Sequence, residues 1–221
     1  MAIQVKICGI ASAEAADAAL RAGTDFAGLV FHPRSPRNLT LDQAGQLASR
    51  LRGRTRLVAL LADPSDEEID RALAATKADF IQLHGHESPE RVAAVRARFG
   101  KPVIKAIAVA EAGDLACVAA YENVADMLLF DARPAASAAR EGGHGAPFDW
   151  QLLRGRRFKR PWLLAGGLNV DNVARAIRTA EAPGVDVSSG VETAPGIKST
   201  ELIAAFIARA RSTQFAAEHN S

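Results

Sequence analysis

The sequence predicts an α/β chain folded as a single (β/α)8 barrel over residues 1–221. Three observations carry this expectation. Short β-branched runs alternate with Ala-rich helical stretches along the whole chain, in eight strand-then-helix units. The connections are short, and strict alternation implies parallel strands joined by right-handed crossovers. Nothing divides the chain into halves and no G-x-G-x-x-G follows the first strand, which disfavours an open doubly wound sheet. About half of the residues are apolar (48%), enough for one substantial core.

The first strand reads Ile3 to Ile7, and its helix SAEAADAALRAG opens at Ser12 as N-cap and closes at Gly23. DFAGLVF leads through a loop to LDQAGQLASRLRG; TRLVALL leads to SDEEIDRALAAT, capped by Ser65. ADFIQL precedes SPERVAAVRARFG, and KPVIKAI precedes a fifth helix around EAGDLACVAAY. ADMLLF enters the longest loop, ARPAASAAREGGHGAPFDW. RPWLLAGG precedes NVDNVARAIRTA, and GVDVSS precedes the last helix, STELIAAFIARARS. A disordered tail is expected from about residue 212.

Strand parity places chemistry. Ile3, Val5 and Ile7 share the face that meets the helices, so Lys6 and Cys8 point into the barrel. Asp186 and Ser188 share one face of the eighth strand, as Gln82 and His84 do near the end of the fourth. Polar residues thus gather at strand C-terminal ends, where barrel enzymes carry their reactive groups.

Composition narrows the function. The 27 basic and 25 acidic residues nearly balance, leaving no footprint for nucleic acid or a membrane surface. No apolar run has the length of a membrane span, and a strand pattern beginning by Ile3 leaves no room for a leader. Two cysteines give neither a disulfide framework nor a metal spacing. No metal or cofactor is signalled, and a cytoplasmic chain with reduced thiols is expected. No exposed apolar stripe is readable, which favours a monomer over a dimer.

Cys8 ends the first strand beside Lys6 and ahead of the first helix, and both features favour its thiolate. Cys117, among Leu115, Val118 and Ala119, is expected to pack in the core. Asp131 ends the sixth strand before the longest loop. A thiolate and a carboxyl group on opposite sides of the mouth form a base and acid pair. Gly166 and Gly167 follow the seventh strand, and Ser188, Ser189 and Gly190 the eighth; Pro195 to Ile197 then reads as the start of a short extra turn. These two loops make the recurrent phosphate site of such barrels, where backbone N–H groups approach the anion. Arg37, in a loop stiffened by Pro33 and Pro36, is placed to grip a carboxylate through two parallel bonds. Arg34 and His86 read as ordinary surface and turn residues.

Together KICG, the SPR of FHPRSPRNLT, QLHGHE, LLFDAR with GGHGAPFDW, LAGGLN, and GVDVSSGVE followed by PGIK resemble the phosphoribosylanthranilate isomerase family of TIM-barrel enzymes in tryptophan biosynthesis. The motifs span residues 6 to 198 in the family's order; His144 and Ala194 fall where the family varies. The resemblance implies Cys8 as general base, Asp131 as general acid and Arg37 as holder of the anthranilate carboxylate. It implies Gly166, Gly167, Ser188, Ser189 and Gly190 as the phosphate cradle, with Gln82, His84 and Asp186 lining the mouth. The implied reaction is an Amadori rearrangement of an aminoaldose to an aminoketose, without metal, cofactor or covalent intermediate. Gly9 is expected to leave room for substrate beside the thiol. Sister aminoaldose isomerases carry aspartate where Cys8 stands, and indole-glycerol-phosphate synthases are longer, with an N-terminal extension. A non-catalytic phosphate-ligand binder would not need both Cys8 and Asp131.

Overall fold

The computed structural model describes residues 2–133 and 147–213. Eight parallel strands close into a barrel in chain order. They are β1 (Gln4–Cys8), β2 (Phe26–Val30), β3 (Arg56–Leu61), β4 (Phe80–Leu83), β5 (Val103–Val109), β6 (Met127–Ala132), β7 (Trp162–Leu164) and β8 (Gly184–Val187). β8 pairs back onto β1, with Lys6 opposite Asp186, and β1 pairs β2 with Cys8 opposite Gly28. The helices are α1 (Ala13–Ala22), α2 (Leu41–Leu51), α3 (Asp66–Thr76), α4 (Pro89–Phe99), α5 (Val118–Glu122), α6 (Val173–Ala180) and α7 (Thr200–Arg211).

Local chemistry sets the helix ends. Ser12 accepts from the Ala15 N–H, and Gly23 ends α1 in the left-handed region. Thr40 with Gln43 and Ser65 with Glu68 form reciprocal capping boxes at α2 and α3. Inside the barrel Phe26, Val58, Ile104, Met127, Leu129 and Leu163 form one apolar plug. The opposite strand faces, including Val5, Ile7, Ile81 and Val185, pack against the helices in the larger core. Alternation along each strand thus produces two cores, one within the sheet and one around it.

The expected eight helices reduce to seven among the described residues. After β6 a short 3-10 turn, Trp150–Leu153, stands in place of a helix, with Phe148, Trp150 and Leu153 burying apolar surface there. The fifth unit also differs. Residues Ala112–Cys117 form a 3-10 helix, and only the short α5 follows. Asp114 accepts from the Ala110 and Glu111 N–H groups and tightens this turn. Three residues per turn bring Leu115 and Val118 onto one inward face and leave Cys117 exposed. Cys117 is therefore not a core residue. The short extra turn expected at Pro195 is the tip of an antiparallel hairpin, β9 (Glu192–Ala194) and β10 (Ile197–Lys198), preceded by a 3-10 turn at Ser189–Val191. His144 and the tail from residue 214 lie outside the described residues. Among the described residues no helix is long and apolar enough to cross a membrane.

These two burial environments give a contrast that thermal or denaturant unfolding reads. Ile81→Ala, in the fully buried outer core, should cost about 2–5 kcal/mol. Cys117→Ala should stay within about 0.5 kcal/mol, as surface changes do. A large loss at Cys117 would mean that the thiol packs inward after all.

Candidate active site

The barrel's C-terminal rim brings the predicted residues into two groups. The first surrounds Cys8. On the inward face of β1 its neighbour Lys6 donates to Asp186 Oδ1 across the β1–β8 pairing at 2.8 Å. Lys6 is wholly buried, and Asp186 is buried with it. Across the other pairing, Gly28 leaves the volume that Cys8 needs. A Cβ at residue 28 would lie 3.0 Å from Cys8 Sγ and 3.4 Å from Lys6 Nζ.

Electrostatics around the thiol run against the sequence expectation. Burial pushes the Cys8 thiol above its ordinary value; Lys6 and Lys198 pull it down, while Asp186 pushes it up. Burial is the largest of these effects. For Lys6 itself burial lowers the pKa, but Asp186 and Cys8 together outweigh this and hold it above the ordinary lysine value. The site therefore favours thiol over thiolate.

The second group holds Asp131. Gln82 Nε2 lies 2.8 Å from His84 Nδ1, and His84 Nε2 lies 3.2 Å from Asp131 Oδ2. With the amide nitrogen donating, Nδ1 is the acceptor of a neutral ring and Nε2–H faces the carboxylate. The Ala132 N–H donates to Asp131 Oδ1 at 2.8 Å. His84 reaches from β4 to β6 over β5, whose inward residues toward the rim are the small Ala106 and Ala108. A quarter of the Asp131 side chain stays exposed at the mouth. Gln82 is fully buried and reaches the mouth only through His84.

Arg37 has a carboxylate partner within the protein. Its Nε and Nη2 donate to Glu192 Oε1 and Oε2 at 2.7 and 2.8 Å. Its stem fills the space beside Gly9, where a Cβ would meet Arg37 Cδ at 2.6 Å. The room that Gly9 provides is thus taken by Arg37, not by open volume for substrate. Glu192 and Lys198 escaped the sequence reading, although both sit in motifs it quoted. Isolated acidic and basic residues in a loop give no signal until the fold pairs them.

The loops after β7 and β8 meet at backbone level. A Cβ at Gly190 would lie 1.8 Å from the Leu168 carbonyl oxygen, so no other residue fits there. Gly166 and Gly167 both take positive φ, 84° and 65°, which glycine adopts without strain. Asn172 Nδ2 donates to the Gly167 carbonyl at 2.8 Å and fixes that loop. Ser188 and Ser189 are half-buried beside it. Among the described residues no group of three His, Cys, Asp or Glu side chains has the arrangement of a metal site.

The family model for N-(5'-phosphoribosyl)anthranilate (PRA) isomerase matches residues 5–209. The chain belongs to this family. A relative from Azorhizobium caulinodans bearing that name is 52% identical, covering 98% of this chain and 95% of its own. One from Paracoccus denitrificans is 51% identical over 95% and 98%. Among solved structures, the Thermotoga maritima phosphoribosyl anthranilate isomerase superposes with a TM-score of 0.85 at 33% identity, over 94% of this chain and 98% of that one. A phosphoribosyl anthranilate isomerase in complex with reduced 1-(o-carboxyphenylamino)-1-deoxyribulose 5-phosphate superposes at 0.80 with 32% identity, over the same shares. In this family setting Cys8, Asp131, Arg37 and the two glycine-containing loops all lie at the C-terminal ends of strands.

The thiol's surroundings make a prediction about pH. If the thiolate is the active form, kcat/KM falls as pH drops through the raised Cys8 pKa. Asp186 is one cause of that raising. Asp186→Asn should therefore move the acidic limb of the profile to lower pH, by on the order of one unit. An unmoved limb would show that Asp186 does not act on the thiol, and an alkaline shift would show that it acts chiefly by keeping Lys6 charged.

Proposed function

We propose that this chain converts N-(5-phosphoribosyl)anthranilate into 1-(2-carboxyphenylamino)-1-deoxyribulose 5-phosphate, in tryptophan biosynthesis, with Cys8 as general base and Asp131 as general acid. The observation that carries the assignment is the pairing of a buried inward-facing thiol on β1 with an anchored, partly exposed carboxyl group on β6. β7 and β8 separate these strands around the ring, so the two groups approach a substrate from different sides.

The steps follow from those positions. Asp131 gives a proton to the ribose ring oxygen, the C1′–O bond breaks, and the anilino nitrogen's lone pair forms C1′=N⁺. Cys8 takes the C2′ proton, and the C2′–H electrons form C1′=C2′ as the iminium collapses to an enolamine. Tautomerisation moves the hydroxyl proton to C1′ and leaves the C2′ ketone. No oxidant or co-reactant enters. We assign Arg37 to the anthranilate carboxylate and Gly166, Gly167, Ser188, Ser189 and Gly190 to the phosphate. His84 positions Asp131, while Gln82 acts through His84 and Asp186 through Lys6 rather than by touching substrate.

We read residues 1–221 as one domain working as a monomer in the cytoplasm. In support of the monomer, Leu41 and Ile197 are the large apolar side chains exposed among the described residues, too few to make a patch. A Thermotoga maritima relative is described as a dimer, so light scattering on this chain decides the point.

Turnover of the named substrate tests the whole reading. Cys8→Ala and Asp131→Asn should each lower kcat by at least about a hundredfold, the low end for general acid–base catalysis. Both proteins should still bind product. Near-normal kcat in either variant removes that residue from the mechanism. Inorganic phosphate should inhibit competitively, and an anion found away from the β7 and β8 loops in a soaked crystal would contradict the phosphate assignment.

A further inference from the structure

We infer that Glu192 and Lys198 are positioning residues that tie Arg37 to Ser188, so that one hydrogen-bonded network sets both anion-reading ends of the site. The inference rests on the assignments of Arg37 and the Ser188 loop proposed above.

The network is complete at its centre. Glu192 Oε1 accepts from Arg37 Nε and Lys198 Nζ, both at 2.7 Å. Its Oε2 accepts from Arg37 Nη2 at 2.8 Å and from the Gly196 N–H at 3.1 Å. Four donors for two oxygens satisfy a carboxylate that is only 4% exposed. Although burial opposes it, the hydrogen bonds and charges of Arg37 and Lys198 hold the carboxyl down to about 2. Lys198 is also enclosed, at 1% exposure. Its remaining bonds go to the Ser188 carbonyl at 3.0 Å and Ser188 Oγ at 3.3 Å. All three of its donors are therefore used, and it has none to offer a substrate.

Arg37 differs in having donors to spare. Glu192 occupies the Nε–Nη2 edge of the guanidinium. The Nη1–Nη2 edge, with two further parallel N–H groups, is the one that can grip another carboxylate. Two cations share one carboxylate here, so a positive charge remains for an incoming anion. The backbone reinforces the link, since a Cβ at Gly196 would strike the Pro36 carbonyl oxygen at 2.5 Å. The hairpin carrying Glu192 and Lys198 is thus packed directly on the loop carrying Arg37.

The test compares the substrate with an analogue lacking the anthranilate carboxylate, in Arg37→Ala, Glu192→Gln and Lys198→Met proteins. Glu192→Gln should raise KM for the carboxylated substrate about tenfold, the scale of one weakened charge-assisted contact. Its kcat should stay within about twofold, and its KM for the analogue should barely move, since charge-assisted binding is lost only where the carboxylate is present. Lys198→Met should both reduce the preference for the carboxylated substrate and raise the inhibition constant of inorganic phosphate several-fold. Equal losses on both substrates would reduce Glu192 to a merely structural role and overturn the proposal. A lowered KM would show Glu192 competing with substrate for Arg37, and would overturn it too. A Lys198→Met protein with weaker phosphate binding but unchanged carboxylate preference would break the link. If a single variant fails to fold, Glu192→Gln/Lys198→Met removes both buried charges together; it should lose the preference, and retention overturns the proposal. Arg37→Ala separates the two levels. If it does not lose the preference, the assignment of Arg37 fails; if it does while Glu192→Gln does not, only the network fails.

Discussion

The ion pair between Lys6 and Asp186 is the constraint on which the site is built. It lies inside the barrel where β8 closes onto β1, with a 2.8 Å contact between residues that are partners in the strand register. A lysine that is 0% exposed is tolerated only with its charge met, and removing one partner of such a pair typically costs about 3–5 kcal/mol. The pair requires the closed barrel, because an open sheet would leave β1 and β8 at opposite edges. It also fixes the chemistry one step along β1. Lys6 lies beneath Cys8 as a cation and pulls its thiol down, Asp186 opposes that pull, and burial, the largest effect, leaves the thiol raised.

Above this floor the two halves of the mouth are held by different means. On the thiol side, close approaches at glycines lock the rim: the Arg37 stem against Gly9, and the Pro36 and Leu168 backbone against Gly196 and Gly190. Charges lie across those contacts in buried or half-buried pairs. On the acid side a single file of polar groups, Gln82 to His84 to Asp131, crosses from β4 to β6. The first arrangement fixes positions through packed backbone. The second fixes an orientation through hydrogen bonds and leaves the carboxyl group reachable.

Which features were legible follows from the physics of each. Period-two alternation gave the strands and their inward faces, because parity in a barrel strand has only two outcomes. Lys6, Cys8, Gln82 and Asp186 fall on the faces that parity required. The helices at Ser12 and Ser65 were legible from their caps. The fifth helix was not, because Asp114 back-bonds to Ala110 and Glu111 and tightens a stretch whose composition reads as α-helical; Cys117 was misplaced with it. Parity says nothing about partners. It placed Asp186 at the mouth but not against Lys6, just as the Pro-stiffened loop placed Arg37 near the site but not on Glu192. Gly28 was read only as a strand residue, whereas the register across β1 and β2 makes it the space that admits the thiol.

Proton counting links the proposed chemistry to the resting site. The proton that Asp131 gives to the ring oxygen stays on the opened chain as a hydroxyl, and the proton that Cys8 takes comes from C2′. One turnover therefore leaves the enzyme with Cys8 as thiol and Asp131 as carboxylate, although the substrate has only isomerised. The thiol fits the first half of that state, since burial favours its protonated form, while the Ala132 N–H and His84 hold the Asp131 carboxyl group in place. The next cycle requires the opposite assignment of the two protons. On the proposed mechanism the exchange is with solvent, which Asp131 meets at the mouth. The partial exposure of Asp131, in contrast to the burial of Cys8, fits that role: one member of the catalytic pair meets water so that the site can reset.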